Sequence, residues 1–216
     1  MKGIIVSAAV LFVHLTLGTD VIADVSPFQT SLPHIDTILT YAQFDDRPTT
    51  TEPAIGNPLP VPYKFLNFKN LGIGTPGLLN ATNPGVRPKS LPNEVGNGPR
   101  RRLQDGMPSI TVTGTTTPSF RLKKFYFGCL AQSDVQQAPI AGPCNITVSG
   151  TKKNGGKLGP KKFVFDPKLV VTNAPMALAE FDTSWTTLTT VDLAIVEPFL
   201  IQLLGTLELD NVTYTV

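Results

Sequence analysis

The chain has 216 residues, of which 41% are hydrophobic and 16% are charged, and its formal net charge is +2. This charge is too small for the basic surface of a typical nucleic-acid-binding protein, and the length suffices for one domain with a buried core. Thr, Val, Pro and Gly are plentiful, which favours strands and turns over helices.

The N-terminus has the pattern of a secretory signal peptide. Lys2 precedes an apolar run over residues 3–17, and cleavage after Gly18 or after Ala23 fits the small-residue rule. The run is shorter than the ~20 residues that a membrane span needs, and no later segment is long and apolar enough. The sequence therefore predicts a signal peptide over residues 1–23 and a secreted, extracellular protein without a membrane span.

The next part of the chain alternates short strand patterns with proline- and glycine-rich stretches. Residues 38–44 predict the first strand and residues 63–68 the second, with a proline-rich link between them. From residue 72 to residue 108 the chain is dominated by Gly, Pro and Asn. That composition predicts a long surface excursion, 72–108, which is a partly flexible loop.

The second half predicts a regular series of short strands. Their candidate ranges are 110–112, 120–127, 146–148, 162–165, 169–171, 176–181, 191–195 and 207–214. Residues 153–156 predict a turn, and the alternation of the last strand slips near Asp210-Asn211, which a bulge would explain. Residues 197–205 form either a short helix or a loop. Many short strands joined by turns indicate an all-β fold, so we predict one β-sandwich domain over residues 24–216.

Two cysteines are present, Cys129 and Cys144. In an oxidising compartment they should pair, and the short loop they close would stabilise the fold by ~3 kcal/mol. The alternative is a pair of buried free thiols, which an exported chain makes the less expected state.

Three sequons fit the acceptor pattern for N-glycosylation in a secreted eukaryotic chain. They begin at Asn80, Asn145 and Asn211. Asn145 is the best candidate because it follows Pro143-Cys144 at the start of a predicted strand. The sequence therefore predicts a glycoprotein.

Several motifs follow one another in a definite order. They are Phe44-Asp45-Asp46, a proline-rich link over 58–62, the segment 63–71, Phe120-Arg121-Leu122, Phe127-Gly128-Cys129, the run 144–150, and a closing segment over 209–214. In this order the chain resembles a large group of small secreted proteins from filamentous fungi, from about residue 38 to the end. Phe65 stands where their pattern has Gly, and Leu71 where it has Phe.

The resemblance implies a jelly-roll of the galactose-binding-domain type. Members of the group mostly lack an assigned function. Carbohydrate binding is implied by analogy of fold, and the ligand would be an extracellular glycan or a cell-wall component.

Asp45, Asp46 and Asp210 are the candidate metal ligands. In sandwiches of this type the first and last strands lie side by side, which would bring these carboxylates to one edge. Calcium prefers several carboxylate and carbonyl oxygens together, so one interpretation is a structural Ca²⁺. The sequence predicts no other cofactor. In the other, Asp45 and Asp46 cap the turn before Pro48, and Asp210 marks the bulge.

Two surface features are compatible with ligand binding. Trp185, the only tryptophan, either stacks on a sugar or fills the core between two sheets. A lysine-rich hairpin either attracts anionic glycans or phosphate-bearing surfaces, with Arg121, Lys123 and Lys124 as neighbours, or is a solvated edge protected from aggregation. Its lysines are Lys152, Lys153, Lys157, Lys161 and Lys162.

Arg100-Arg101-Arg102 lies inside the predicted loop and resembles a processing-protease site. Exposed, irregular segments are the places where such cleavage occurs. The alternative is a basic loop that is not cleaved.

The sequence gives little support for catalysis. His34 is the only histidine that remains after the leader, and the two cysteines are expected to be oxidised, so triads and His/Cys zinc sites lack ligands. A glycosidase with two carboxylates is the remaining enzymatic alternative. Its available carboxylates are Glu52, Asp134, Asp166, Glu180, Asp182, Asp192, Glu197 and Glu208.

Three functions follow from these observations. The first is a secreted, non-catalytic β-sandwich that binds a glycan or a cell-surface component. The second is an effector-like module that binds a protein partner through its loops. The third is the carboxylate-based glycoside hydrolase.

Overall fold

Two antiparallel sheets face each other across an apolar core. The computed structural model describes residues 38–47, 57–74, 85–131, 140–168, 172–197 and 205–216, all of which belong to the unit Asp36–Val216. The sheets curl into a sandwich, so the predicted all-β sandwich is confirmed.

The described elements are fourteen strands and one helix. In chain order they are β1 (Leu39–Ala42), β2 (Asn67–Lys69), β3 (Gly72–Gly74), β4 (Val86–Arg87), β5 (Glu94–Asn97), α1 (Pro99–Asp105), β6 (Ser109–Thr111), β7 (Arg121–Ala131), β8 (Ile140–Ala141), β9 (Cys144–Lys152), β10 (Lys157–Phe165), β11 (Ala174–Pro175), β12 (Ala177–Glu180), β13 (Leu188–Glu197) and β14 (Thr206–Thr215). Among these residues, no helix is long and apolar enough to cross a membrane.

The sheets differ in size and in how their strands are ordered. The larger sheet has the order β12-β7-β14-β5-β3, with β1 also paired to β14 and β8 to β7. The smaller sheet has the order β10-β9-β13-β6-β2, and β11 and β4 form a short parallel pair. The first and last described strands are therefore neighbours, as the sequence predicts, with Tyr41 opposite Thr213.

The core forms where the apolar side chains of alternating residues meet between the sheets. Phe125 and Phe127 of β7 are fully buried, and the ring of Phe127 lies 6.4 Å from that of Phe163 on β10. Trp185 is 4% exposed and its ring lies 4.5 Å from that of Phe181. Trp185 is thus a core residue, which confirms the second of its two interpretations.

The disulfide joins the two sheets. Cys129 on β7 of the larger sheet is bonded to Cys144 on β9 of the smaller sheet, with a Cα–Cα distance of 6.2 Å. Both residues are buried. The predicted pairing is confirmed, and it links strands that share no backbone hydrogen bonds.

A tight turn precedes β2 at the position where the resembling pattern has glycine. The Tyr63 N–H donates to the Leu66 carbonyl at 2.8 Å, and the Leu66 N–H donates back at 3.1 Å. Lys64 and Phe65 have φ values of 46° and 75°, the left-handed region that glycine occupies without cost. The turn therefore forms despite Phe65, and the predicted strand over 63–68 is wrong before Asn67, where β2 begins.

The prediction of a surface loop over 72–108 is also wrong for most of this stretch. It contributes β3 and β5 to the larger sheet, β4 to the short parallel pair, and α1. Asn93, Val95 and Asn97 are fully buried. The sequence does not show the usual apolar alternation of a strand here, because glycines and a charged residue occupy strand positions. Side chains from other strands fill the space beside these glycines. Residues 75–84 lie outside the described residues.

Other predictions about local structure have different outcomes. The turn over 153–156 is confirmed, because the Gly155 N–H donates to the Lys152 carbonyl at 2.9 Å. The bulge near Asp210-Asn211 is confirmed by a register shift between Asp210 and Thr213. The signal peptide, His34, the strand over 169–171 and residues 198–204 lie outside the described residues.

Candidate functional site on the outer face of the larger sheet

The outer face is the side of the larger sheet that points away from the core. Ala42, Val212 and Phe125 are fully buried on the inner side, so their neighbours along the strands point outward. One row across the strands contains Tyr41 on β1, Thr213 on β14, Lys124 on β7 and Glu180 on β12. Tyr41 is 52% exposed, so its ring is accessible to a ligand.

A second aromatic residue lies on the same face. Tyr126 of β7 pairs with Asp210 on one side and with Leu178 on the other. The ammonium of Lys89 lies 5.1 Å from the centre of the Tyr126 ring, within cation–π range. The outer face therefore combines two tyrosines with lysines, a set of side chains that can both stack on a ring and donate hydrogen bonds.

Residues 85–93, here called the covering segment, lie across part of this face. A side chain at Gly128 would meet Val86 at 2.6 Å, so the glycine allows Val86 to sit directly on the sheet. Asp210 accepts hydrogen bonds from the Ser90 N–H at 2.6 Å and from the Ser90 hydroxyl at 3.2 Å. Burial raises the pKa of Asp210 to about 6, although the Ser90 and Asn211 hydrogen bonds act against the rise.

Asp45 holds the other end of the covering segment. Its carboxylate accepts a hydrogen bond from the Asn93 N–H at 3.0 Å. The Asn93 side chain in turn donates to the Phe44 carbonyl at 3.3 Å and the Arg47 carbonyl at 2.8 Å. The turn after β1 and the start of β5 are thus joined by both backbone and side-chain groups.

Asp46 points to different partners. Its carboxylate accepts a hydrogen bond from the Tyr63 hydroxyl at 2.7 Å and lies 2.9 Å from the Lys64 ammonium. Burial alone would raise the pKa of Asp46, but the hydrogen bonds and charges of Tyr63, Lys64 and Arg47 outweigh it and lower the pKa. Burial and the bond to Asp46 raise the pKa of Tyr63.

The three predicted calcium ligands are therefore not gathered into one set. Asp45 and Asp210 bind the covering segment, and Asp46 binds Tyr63 and Lys64. Within the described ranges, no group of three or more His, Cys, Asp and Glu side chains is placed to hold a metal ion. The observed contacts show that these residues anchor turns and the covering segment. The bound calcium ion stays a prediction from the sequence.

A pair of buried glutamates occupies the outer face next to Asp210. Glu94 of β5 is 4% exposed and Glu208 of β14 is 6% exposed, and their side chains are hydrogen bonded to each other. The Oε2 atom of each lacks a hydrogen-bond partner among the described residues. A direct bond between two carboxyl groups requires a proton on one of them.

Glycines surround this pair on the sheet. Glu208 pairs with Gly96 on β5 and Gly128 on β7, and Glu94 pairs with Gly74 on β3. Burial, then the charge and hydrogen bond of Glu208 and the charge of Asp210, raise the pKa of Glu94 well above its usual range. Burial also raises the pKa of Glu208 to about 8, although its hydrogen bond with Glu94 opposes the rise.

The sequence-based prediction of the site misses Glu94 altogether. Glu208 appears there only as one of many available carboxylates. The alternation in 94–97 places Glu94 and Gly96 on one side of the strand and the fully buried Val95 on the other, and this pattern is a weak signal inside a glycine-rich stretch. What makes the pair unusual is the register with β14, which only the folded sheet reveals.

The lysine hairpin forms an edge of the smaller sheet. Its second strand, β10, is the last in that sheet and contains Pro160 within an irregular stretch between Leu158 and Lys161. Both features discourage edge-to-edge pairing. The Lys161 ammonium donates to the Glu180 carbonyl at 2.8 Å, and Glu180 pairs with Lys124. The hairpin thus reaches β12 of the larger sheet through Lys161.

The predicted processing site is helical. Arg100, Arg101 and Arg102 lie in α1, the guanidinium of Arg101 is 3.6 Å from the Asp105 carboxylate, and Arg102 donates a hydrogen bond to the Gly205 carbonyl. The irregular backbone on which the cleavage prediction depended is therefore absent at these three residues.

Two of the three predicted sequons lie within the described residues. Asn145 is half-buried on β9, between the buried Cys144 and Ile146, and points away from the core. Asn211 is half-buried at the bulge of β14 with a φ of 49°. Asn80 lies outside the described ranges. Glycosylation of all three stays a prediction.

Comparison with known proteins gives a distant structural similarity. No protein-family model matches this sequence, and no curated protein matches it significantly. Among solved structures, the crystal structure of a DUF4465 family protein from Bacteroides caccae is similar to this chain, with 11% identity, a TM-score of 0.42, and an alignment that covers 67% of this chain and 72% of that chain. At this distance the similarity carries no functional information.

Proposed function

We propose that this protein is a secreted, non-catalytic β-sandwich that binds an extracellular glycan or a cell-wall component on the outer face of its larger sheet. The observation that carries the proposal is the exposed ring of Tyr41, 52% accessible, in one row with Thr213 and Lys124. The disulfide suits an oxidising, extracellular compartment.

This row supplies the two kinds of contact that sugars need. The Tyr41 ring offers an apolar surface for the face of a pyranose, while the Lys124 ammonium can bond to its hydroxyls. Thr213 between them is 4% exposed and donates to the Asn211 carbonyl, so it serves as a spacer. Neighbouring strands lie about 4.8 Å apart, so Tyr41 and Lys124, two strands apart, are separated by about 10 Å across the sheet. Both can therefore contact one extended glycan chain that crosses the strands.

The test is retention of the purified protein on a panel of immobilised polysaccharides, with calcium and then with chelator. We expect retention on at least one glycan, and at least tenfold weaker binding by Tyr41→Ala. Phe65→Ala is the matched control, because Phe65 is a similarly exposed aromatic residue, 47% accessible, on the turn before β2. Loss of retention on chelation would support the predicted calcium ion.

Two results would count against the proposal. No retention on any glycan would favour the effector-like module that binds a protein partner. Equal loss of binding in Tyr41→Ala and Phe65→Ala would place the binding surface somewhere other than the outer face.

The glycoside hydrolase is less well supported by the geometry. Glycosidases keep their two carboxyl groups roughly 5–9.5 Å apart, so that the sugar or a water molecule fits between them. Glu94 and Glu208 are instead bonded directly to each other and are almost completely buried. This pair is therefore a poor catalytic dyad.

A further inference from the structure

We infer that the ligand of the outer face is an acidic glycan, one that carries carboxylate groups, such as a polyuronate. The inference rests on the proposed function and names the class of glycan. Its basis is the arrangement of cations on β7 and on the covering segment.

Two cations, Arg121 and Lys124, lie near the exposed Tyr41, and a third, Lys89, lies elsewhere on the same face. Arg121 pairs with Thr215, which pairs with Leu39 of β1, so Arg121 lies one row from Lys124 and Tyr41. The Nε atom of Arg121 is buried and has no hydrogen-bond partner among the described residues. Lys89 lies over the ring of Tyr126. A guanidinium binds a carboxylate through two parallel hydrogen bonds, which makes Arg121 the natural partner of a uronate group.

One exposed carboxylate offsets part of these charges, and the other acidic residues of this face are buried. Asp210 is fully buried and bonded to Ser90, and Glu94 and Glu208 are a buried pair that shares a hydrogen bond. Glu180 is the exposed carboxylate opposite Lys124. With Arg121, Lys124 and Lys89 against Glu180, the outer face keeps a net positive charge. Charge complementarity therefore favours an anionic chain over a neutral one.

Polygalacturonate and its fully methyl-esterified form are the probes, because they share a backbone and differ in charge. We expect tighter binding to the free acid, weakening with added salt, and at least tenfold weaker binding by the double variant Arg121→Gln/Lys124→Gln. The matched control is Lys157→Gln/Lys162→Gln on the hairpin, which removes the same charge from the smaller sheet and should bind as wild type does.

The outcomes separate the inference from the proposed function. Equal binding of both forms of the polymer, or retention only on neutral glycans, overturns the acidic class and leaves the glycan-binding function standing. Loss of binding in the hairpin variant with an unaffected Arg121→Gln/Lys124→Gln variant also overturns it. Retention on no polysaccharide at all removes both.

A second inference comes from the buried glutamates and is independent of any ligand. We infer that Glu94 and Glu208 share one proton, and that this proton holds β5 against β14 in acidic surroundings and is lost as the pH rises. The burial of both carboxyls on neighbouring strands and their two unpartnered Oε2 atoms carry the inference, and the mutual interaction of the two carboxyls agrees with it. A second negative charge at this position would face the first with no water to screen it.

The groups around the pair do not favour ionisation. The negative charge of Asp210 on β14 raises the pKa of Glu94. The negative charge of Asp45, from the turn after β1, raises the pKa of Asp210. The residues paired with the two glutamates on β3, β5 and β7 are Gly74, Gly96 and Gly128. From the covering segment, Lys89 lies over Tyr126.

The direction of the pH dependence follows from raised pKa values. In the unfolded chain these carboxyls ionise near their ordinary pKa of 4.5, whereas the pKa of folded Glu208 is about 8. The stabilising contribution is therefore complete below pH ~4.5 and is lost as the pH rises toward ~8. The pair therefore stabilises the fold most strongly at acidic pH.

Thermal unfolding at pH 5 and pH 8 tests the pair. We expect the melting temperature of the wild type to fall by about 5 °C or more between the two pH values, and that of Glu208→Gln to fall by much less. Asp192→Asn removes an exposed carboxylate of β13 and should follow the wild type. Identical pH profiles for wild type and Glu208→Gln overturn the inference. If the variant does not fold, infrared spectroscopy of the wild type at pH 7 decides, because a buried protonated carboxyl has its own carbonyl band, and its absence overturns the inference.

Discussion

Asp210 and Ser90 are 120 residues apart in the chain, yet the Asp210 carboxylate accepts both the N–H and the hydroxyl of Ser90. This contact fixes the covering segment to the outer face beside the bulge of β14. The bulge and the carboxylate act together, because the Asn211 N–H donates to the same side chain at 2.6 Å.

Replacing Asp210 with Ala should destabilise the fold. The substitution removes an acceptor from two backbone N–H groups and leaves them without their bonds, which typically costs about 1–3 kcal/mol. Equilibrium unfolding in urea measures the change. Asp192→Ala, which removes an exposed carboxylate from β13, should change the free energy of unfolding by less than about 0.5 kcal/mol. Equal effects of the two substitutions would contradict the role given to Asp210.

Replacing Phe65 with Gly should stabilise the protein relative to Phe65→Ala. Phe65 has a φ of 75°, and a left-handed conformation costs a residue with a Cβ atom roughly 1–2 kcal/mol. Glycine avoids this cost, but its greater conformational freedom stabilises the unfolded chain by about 0.4–1 kcal/mol. We therefore expect the free energy of unfolding of Phe65→Gly to exceed that of Phe65→Ala by about 0.5–1 kcal/mol.

The comparison with Ala isolates the backbone, since both variants lack the aromatic ring. Urea unfolding of the two variants gives the difference directly. A Gly variant that is no more stable than the Ala variant would show that the turn carries no such strain.

Replacing Lys161 with Met should weaken the contact between the edges of the two sheets. The ammonium donates to the Glu180 carbonyl and lies 5.6 Å from the Phe163 ring and 5.5 Å from the Phe181 ring. Met keeps most of the stem, so the loss should be about 0.5–1 kcal/mol from the cation–π contacts. The ion pair with the exposed Asp182 should add little. Lys162→Met, on the exposed neighbour, is the control and should be neutral in the same unfolding measurement.

Removal of the disulfide should cost more than any of these changes. Cys129→Ala/Cys144→Ala deletes a cross-link between residues 15 apart, and we expect a loss of about 3 kcal/mol. The free energy of unfolding of the oxidised wild type is the reference, and reduced wild type should behave like the double variant. A loss below about 1 kcal/mol would mean that the two sheets pack as well without the bond.

Much of the fold could be predicted from local patterns, and the site could not. Alternation in residues 191–195 and the bulge at Asp210 are visible in the sequence because they depend on neighbouring residues. Glu94 and Ser90 acquire their importance from β14, more than 100 residues later in the chain. The sequence marks the three aspartates as side chains of interest, but it does not predict their partners, which are backbone N–H groups, hydroxyls and the Lys64 ammonium.

The pairing of β1 with β14 also determines how the domain responds to tension. The N–H and carbonyl of Ile38 are both bonded to Val216, each at 3.2 Å, so residues 38 and 216 lie at the same end of an antiparallel pair. A force applied between them would load these two bonds first and then each following pair in turn, and would not shear the whole strand at once. We therefore expect β1 to peel away at low force, before the disulfide-linked part of the sandwich bears any load.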